Sequence, residues 1–328
     1  MRAAWYEKNG PASDVLQTGI LPDPEPQAGE VRVRLVASGV NPSDVKSRQG
    51  RPLMAPRIIP HSDGAGIIDA VGSGVASSRI GERVWIWNGQ WKRASGTAAE
   101  LIALPSAQAV HLPDNTDFSA GACLGIPALT AWRALDILGD ITGKTLLVIG
   151  ASSAVGHYVT QIATRDKGAV VIGTVGSAAK AEHARAAGAT RTINYKLDDV
   201  AAEVANLTDG RGVDAIIDMD FSSTAALLAT GCLAEHGTLV CYGSNVADKV
   251  AVPFRELLFK SISIRFFLVY ELLPQDRERA CAGIHRLLTA GKLQHAMGPT
   301  FRLEEIVAAH QAVERSSGTI GHVTMTLA

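Results

Sequence analysis

Thr145 to Ala163 reads TLLVIGASSAVGHYVTQIA, and the fold of the whole chain turns on that stretch. Leu146 to Ile149 is an uninterrupted apolar run, which suits a strand buried on both faces of a parallel sheet. Gly150 ends it. The small residues Ala151, Ser152, Ser153 and Ala154 follow, and then Val155, Val159 and Ile162 recur at helical spacing. Strand, small-residue turn and helix, in that order, aim backbone N–H groups and a helix N-terminus at a pyrophosphate. Ser153 and Ala154 stand where a glycine pair is usual, so the motif alone also fits a tight turn between packed elements. The flanking chain decides between the two.

Downstream, strands and helices alternate. Val170–Val175 reads as a strand, Ala178–Ala187 as a helix, Arg191–Asn194 as a short strand and Asp198–Leu207 as a helix. Val213–Met219 (strand), Ser223–Leu233 (helix), Thr238–Tyr242 (strand) and Ser261–Val269 continue the series. That rhythm specifies a parallel sheet with right-handed crossovers. Pro274–Ala290 then reads as helix, and the alternating His322–Leu327 as a strand that rejoins the first part of the chain.

Upstream the character differs. Val31, Val33 and Leu35 alternate with Arg32, Arg34 and Val36, and Ala65–Val71, Arg83–Trp87 and Leu101–Leu104 are further strands bounded by turns such as Gly72-Ser73-Gly74. Short strands at this spacing predict a partly closed antiparallel barrel. From Ser119 to about Leu138, Ala, Leu and Trp132 at helical spacing predict one helix.

The chain has 328 residues, enough for two domains with separate cores, and its 47% hydrophobic and 19% charged residues exclude a disordered chain. A formal net charge of -1 with no block of Lys or Arg gives no electrostatic case for nucleic acid. Cys123, Cys232, Cys241 and Cys281 are scattered and form no CxxC pair, which fits a reducing compartment. No apolar leader and no run of membrane-spanning length occurs, so a cytoplasmic protein without membrane contact is expected.

The second strand selects the cofactor. An acidic residue usually ends that strand in NAD sites, where it binds ribose hydroxyls. Here it ends Gly173-Thr174-Val175-Gly176-Ser177, with no carboxylate before Glu182 and with Lys180 in the first turn of the next helix. A lone lysine is usually only a solvated helix residue, but at this place Lys180, the Ser177 hydroxyl and Tyr195 suit a 2′-phosphate, which points to NADPH.

These motifs together resemble the medium-chain dehydrogenase/reductase superfamily, and within it the zinc-independent quinone oxidoreductase (zeta-crystallin-like) branch. The resemblance covers nearly the whole chain through Gly39-Val40-Asn41-Pro42-Ser43-Asp44, Pro60-His61-Ser62-Asp63-Gly64-Ala65-Gly66, Gly81-Glu82-Arg83-Val84, Gly150 to Gly156 with Gln161, and the Gly173–Lys180 segment with Tyr195. It implies an α/β protein: a GroES-like β-rich catalytic domain from residues 1–121 and 260–328, and a Rossmann doubly wound parallel-sheet domain from 122–259, with the active site in the cleft. It also implies NADPH and a homodimer paired through the last Rossmann strand, near Ser261–Phe267.

Carried over by position, Thr130 approaches the nicotinamide, and Ala151, Ser152, Ala154, Val155 and Gly156 line the phosphate turn. Gly176, Ser177, Lys180 and Tyr195 hold the adenosine 2′-phosphate. Gly243, Ser244 and Asn245 line the nicotinamide ribose, with Phe267 to Val269 near the carboxamide. Relatives often touch the cofactor with a Lys or Arg near the C-terminus, where this chain offers His322.

Zinc-dependent relatives carry Cys where Asn41 stands and a His-Glu pair where Ser62-Asp63 stands, so no tetrahedral site can be built from these positions and no metal is expected. His61, one residue out of register, reads as a hydrogen-bonded loop histidine. The 88–96 region, which holds a four-cysteine zinc lobe in some relatives, has no cysteine. A chain without a Lewis acid needs an acceptor that is already electron-poor, such as a quinone or an enone. Asn41, backed by Asp44, is the candidate wall of that acceptor pocket, although Asn41-Pro42-Ser43-Asp44 also reads as a self-capping turn. Trp87, Trp91 and Phe267 are candidates for its apolar ceiling, Trp87 equally for core.

Two other readings compete. A 2-enoyl-thioester reductase shares the NPSD segment but carries a proton-donating Tyr soon after it, where this chain has Gln49-Gly50-Arg51-Pro52. A crystallin-like protein that binds NADPH without turnover is the alternative outside catalysis. A hydrolase built on Ser153 and His157 fails because both belong to the phosphate turn and its helix, and no G-x-S-x-G elbow surrounds the serine.

Overall fold

The computed structural model describes residues 1–246, 248–315 and 320–327. The chain divides into two compact units, one of Met1–Pro127, Ile284–Gly291 and His295–Ala328, the other of Ala128–Gly283 with Lys292–Gln294.

The second unit holds a six-stranded sheet in the order Arg191–Asn194, Val170–Val175, Thr145–Val148, Val213–Asp218, Leu233–Cys241, Ser263–Phe266, with every pairing parallel. Strand order reverses at Thr145–Val148, which pairs with its successor on one side and with the fourth strand on the other; α/β sheets bind ligands at such a reversal. The apolar run is why that strand is central. Leu146, Leu147 and Val148 are fully buried, and Leu147 packs in one core with Ile172, Ile193, Val204, Ile216 and Leu239. The turn leaves the sheet at Gly150 with φ 68°, and a Cβ on Gly156 would collide with the Gly150 carbonyl, so the helix can approach only with glycine there.

The first unit is organised by the long strand Glu30–Val40. Asp63–Val71 pairs along one edge, while the other is shared by Leu101–Pro105 opposite residues 30–34 and His322–Thr326 opposite residues 37–40. The C-terminal strand thus rejoins the first part of the chain. Val31, Val33 and Leu35 point into one core with Ile68, Val84, Ile102 and Met325, as their alternation requires.

Several expectations need correcting. The sheet of the first unit is mixed, because Met297–Arg302, which the sequence reading did not assign, pairs parallel with His322–Thr326. The helix expected from Ser119 to Leu138 is three pieces: Phe118–Gly121, a π-helical turn Leu124–Ala128 and Leu129–Asp136. Pro127 inside the turn lacks the N–H that a continuous helix needs. The helix expected over Ser223–Leu233 stops as Phe221–Thr224 and a 3-10 segment Ala225–Ala229, since Gly231 turns at φ 84° and Leu233 already begins a strand. The second unit extends beyond the sequence division at residue 259, because Ser263–Phe266 hydrogen-bonds to Leu233–Cys241. No helix among the described residues is long and apolar enough to cross a membrane.

Candidate active site

In the second unit the turn after Thr145–Val148 is fixed from within. Gly150 donates its N–H to Thr174 Oγ1 at 2.9 Å, Ala151 N–H to the Thr174 carbonyl at 3.0 Å, and Ser153 N–H to the Gly150 carbonyl at 2.8 Å. Ser153 caps the helix Ala154–Gln161 by accepting the Gly156 N–H at 3.0 Å. Those bonds leave the N–H groups of Ser152, Ala154 and Val155 without a partner among the described residues. Three free donors at a helix N-terminus fit a pyrophosphate. Gly156, whose N–H is already taken, contributes close approach.

At the end of the second strand, Asn194 pairs with Val175, which brings Tyr195 and Lys196 beside Gly176. A side chain at Gly176 would meet the Tyr195 hydroxyl at 2.9 Å and Lys196 Cε at 3.3 Å. Ser177 is the cap of the helix Ala178–Ala187, accepting the Lys180 N–H at 3.3 Å. Lys196 is an addition to the sequence-derived set. The register of the third strand, which a single chain read in order does not display, is what places it there.

Gly243, Ser244 and Phe267 line a cavity of about 590 Å³ at the carboxyl ends of the last three strands, with Phe221, Tyr242 and Phe266. That volume lies within the range of small-molecule and cofactor sites, about 300–1,000 Å³. Asp220 organises the rim: it accepts the Asn245 N–H at 2.8 Å and the Asn245 side-chain amide at 2.7 Å, and Ser222 Oγ donates to it at 2.6 Å. These hydrogen bonds hold the Asp220 carboxyl below the usual carboxylate range against the opposing effect of burial. Sequence reasoning missed Asp220 and Tyr242. Thr130 lies buried in the helix Leu129–Asp136, and Val269 is buried with its carbonyl tied to Arg277 Nη2 at 2.6 Å; neither lines this cavity.

In the first unit the expected pair Asn41 and Asp44 is buried at the start of the helix Pro42–Gly50. Asp44 Oδ2 accepts the Asn41 N–H at 2.8 Å, so the segment does cap itself. The Asn41 side-chain amide donates to Asp63 Oδ2 at 3.0 Å, and the same oxygen accepts the Ile126 N–H at 3.0 Å. Gly125 leaves room for this carboxyl, because a Cβ there would strike Asp63 Oδ1, which itself has no partner. Burial pushes Asp44 up to about 7, against the pull of its Asn41 hydrogen bonds. Burial first and the nearby Asp44 charge second push Asp63 well above the carboxylate range. Asp63 was read from sequence only as a lost zinc ligand; the structure makes it the anchor of Asn41.

His61 is fully buried at φ 75°, hydrogen-bonded to Ser38 Oγ at 2.9 Å and to His310 Nε2 at 3.0 Å. His322 belongs to this first unit, buried on its strand against Gly39, with Nε2 unpartnered. Trp87 donates its indole N–H to the Ala107 carbonyl at 3.2 Å. Among the described residues no group of three or more His, Cys, Asp or Glu is placed to hold a metal ion.

Residues 154–285 match the family described as zinc-binding dehydrogenase, and residues 27–114 match the alcohol dehydrogenase GroES-like domain. The chain is 30% identical to quinone oxidoreductase of Rattus norvegicus over 98% of its own length and 96% of that protein's. A solved structure described as an NAD-dependent alcohol dehydrogenase superposes with a TM-score of 0.89 at 30% identity, covering 100% of both chains. Quinone oxidoreductase of Escherichia coli complexed with NADPH superposes with a TM-score of 0.86 at 25% identity, covering 99% of this chain and 100% of that one.

Proposed function

Because the chain belongs to the medium-chain dehydrogenase/reductase superfamily, in its quinone oxidoreductase branch, we propose that it is an NADPH-dependent reductase of quinones or similarly activated carbonyl and enone acceptors, working without a metal. NADPH, when bound, supplies the hydride.

The observation that carries this reading is the set of free N–H groups on Ser152, Ala154 and Val155, which would receive the pyrophosphate. Gly176, Ser177, Lys180 and Tyr195, joined by Lys196, would take the 2′-phosphate, since the second strand ends without a carboxylate to repel it. Gly243, Ser244 and Phe267, with Asn245 held by Asp220, would shape the space for the nicotinamide half. Thr130 and Val269 would complete the set taken from the family pattern, with His322 at the place where relatives carry Lys or Arg. Asn41 orients the acceptor, its amide aimed by Asp63 and its backbone by Asp44. The alcohol-dehydrogenase family name does not bring zinc with it, because Asn41, Ser62 and Asp63 provide neither thiolate nor imidazole at the ligand positions.

The same reading takes the protein as a cytoplasmic homodimer. Ser263–Phe266 ends its sheet with one edge unpaired among the described residues, and Phe254, Phe259 and Phe266 are 72%, 71% and 62% exposed around it. Titration of NADPH fluorescence, followed by addition of a quinone and the loss of NADPH absorbance, tests the function. Binding without turnover on any quinone or enone would favour the crystallin-like alternative, and no binding would reject both.

A further inference from the structure

Four fully buried polar side chains of the first unit, Thr97, Ser38, His61 and His310, meet in one unbroken line that ends on the Asp63 backbone. Thr97 Oγ1 lies 2.6 Å from the Asp63 carbonyl oxygen, Ser38 Oγ 2.8 Å from Thr97 Oγ1, His61 Nδ1 2.9 Å from Ser38 Oγ, and His310 Nε2 3.0 Å from His61 Nε2. Each residue comes from a different segment: the strand Glu30–Val40, the approach to the strand Asp63–Val71, the loop before Leu101–Pro105 and the helix Ile306–Glu314.

Every contact needs one hydrogen, and only one assignment supplies all four. A carbonyl only accepts, so Thr97 Oγ1 donates to Asp63. Its single proton is then engaged, and Ser38 Oγ must donate to Thr97. The 3.5 Å approach of Ser38 Oγ to the same carbonyl is too long to compete. Ser38 therefore has no proton for His61, and the His61 Nδ1–H donates to Ser38. A neutral imidazole carries one N–H, so His61 Nε2 accepts from the His310 Nε2–H. The nitrogen left over, His310 Nδ1, is buried without a partner, as this assignment requires.

Both rings are neutral. Burial first and His322 second push His61 down to about 3, while burial, then His61, then Arg48 hold His310 well below the usual histidine range. The rings lie 25° from coplanar with centroids 5.1 Å apart, a separation that places them end to end, with the N–H along the contact.

His61 holds a left-handed backbone at φ 75°, which a residue with a Cβ keeps only where its surroundings over-determine it. Thr97 provides that constraint, because its N–H donates to the His61 carbonyl at 3.0 Å while its hydroxyl holds the Asp63 carbonyl. Asp63 is thus fixed at its backbone by this line and at its carboxyl by Asn41 and the Ile126 N–H.

We propose that His61 and His310 are positioning residues for the acceptor amide, the remote end of a one-way hydrogen-bond chain through Ser38 and Thr97 that holds Asp63 still and so aims Asn41. The effect on turnover rests on the reductase reading; the direction of the chain does not. Bonds that share donors in series polarise one another inside a low-dielectric core, so loss of the far donor is felt at Asp63.

The test uses the full chain labelled with ¹⁵N in histidine and asparagine, at neutral pH. Two-bond nitrogen–proton correlations should show His61 protonated on Nδ1 and His310 on Nε2. His310→Leu should shift the Asn41 side-chain amide signal and lower kcat/KM for a quinone by about fivefold, with NADPH affinity within about twofold of wild type. His310→Gln, whose amide N–H replaces the Nε2–H, should recover most of that rate. Thr97→Val removes the hydroxyl at nearly constant shape and should act like His310→Leu, and it stands in for that variant if the leucine chain does not fold. The opposite tautomer on either ring, a charged ring, an Asn41 amide that ignores both substitutions, equal losses of quinone turnover and NADPH affinity, or no recovery in His310→Gln would overturn the inference. Failure of the reductase reading looks different: the tautomers and the Asn41 amide would behave as described while no quinone consumed NADPH.

Discussion

Asn41 and Asp63 are joined side chain to side chain at 3.0 Å, across 22 residues of sequence, and Asp63 carries the Ile126 N–H on the same oxygen. The link ties a helix start, a strand start and the π-helical turn into one buried polar cluster. Removing either partner leaves a buried group unsatisfied, at a cost of about 1–3 kcal/mol.

Asn41→Ala is therefore expected to lower turnover on quinones by about tenfold or more while leaving NADPH affinity within about twofold, because the amide would act on the acceptor. Steady-state kinetics beside a fluorescence titration measures both. An unchanged turnover would remove Asn41 from the mechanism.

Lys180→Ala and Lys196→Ala should each weaken NADPH binding, by about tenfold together, and leave NADH binding nearly as it was, since only NADPH carries the 2′-phosphate. Equal losses for the two nucleotides would overturn the assignment of Gly176 and its neighbours to that phosphate.

Activity should survive exhaustive chelation. The ligand positions of zinc-dependent relatives are filled by Asn41, Ser62 and Asp63, which leaves no thiolate or imidazole to be stripped of metal. Loss of activity on dialysis against a chelator, restored by zinc, would refute the metal-free mechanism.

His61, His310 and His322 are buried neutral, with burial the leading cause holding His61 near about 3 and His322 near about 4. Each is a base whose folded pKa is depressed, so between pH 6.5 and these values the unfolded chain binds more protons and stability falls as pH falls. Asp44, raised by burial, acts with the opposite slope between its ordinary value and about 7, so the comparison is made against wild type. His322→Gln should remove about 3 kcal/mol of the stability lost between pH 6.5 and 4. Parallel denaturation profiles for variant and wild type across that window would show that His322 is not protonated on unfolding.

Local signals carried much of the fold. Val170–Val175, Ala178–Ala187 and Arg191–Asn194 have the boundaries that their apolar runs, caps and glycines dictate, because each element is short and its ends are marked in sequence. The strand, Gly150 turn and helix over Thr145–Gln161 were legible for the same reason. Met297–Arg302 was not, because Gly298 and Pro299 speak against a strand and only pairing with His322–Thr326 makes it one. Lys196 and Asp63 were hidden for a related reason: strand register sets the first beside Gly176, and a contact spanning 22 residues sets the second beneath Asn41. Periodicity reports which face is buried, and it does not report which polar groups meet there.

The most direct measurement is a crystal structure of the protein grown with NADPH. The account places the nucleotide's pyrophosphate on the N–H groups of Ser152, Ala154 and Val155, and its 2′-phosphate among Ser177, Lys180, Tyr195 and Lys196. Phosphates bound elsewhere, or a saturating soak that leaves this turn bare, would contradict it.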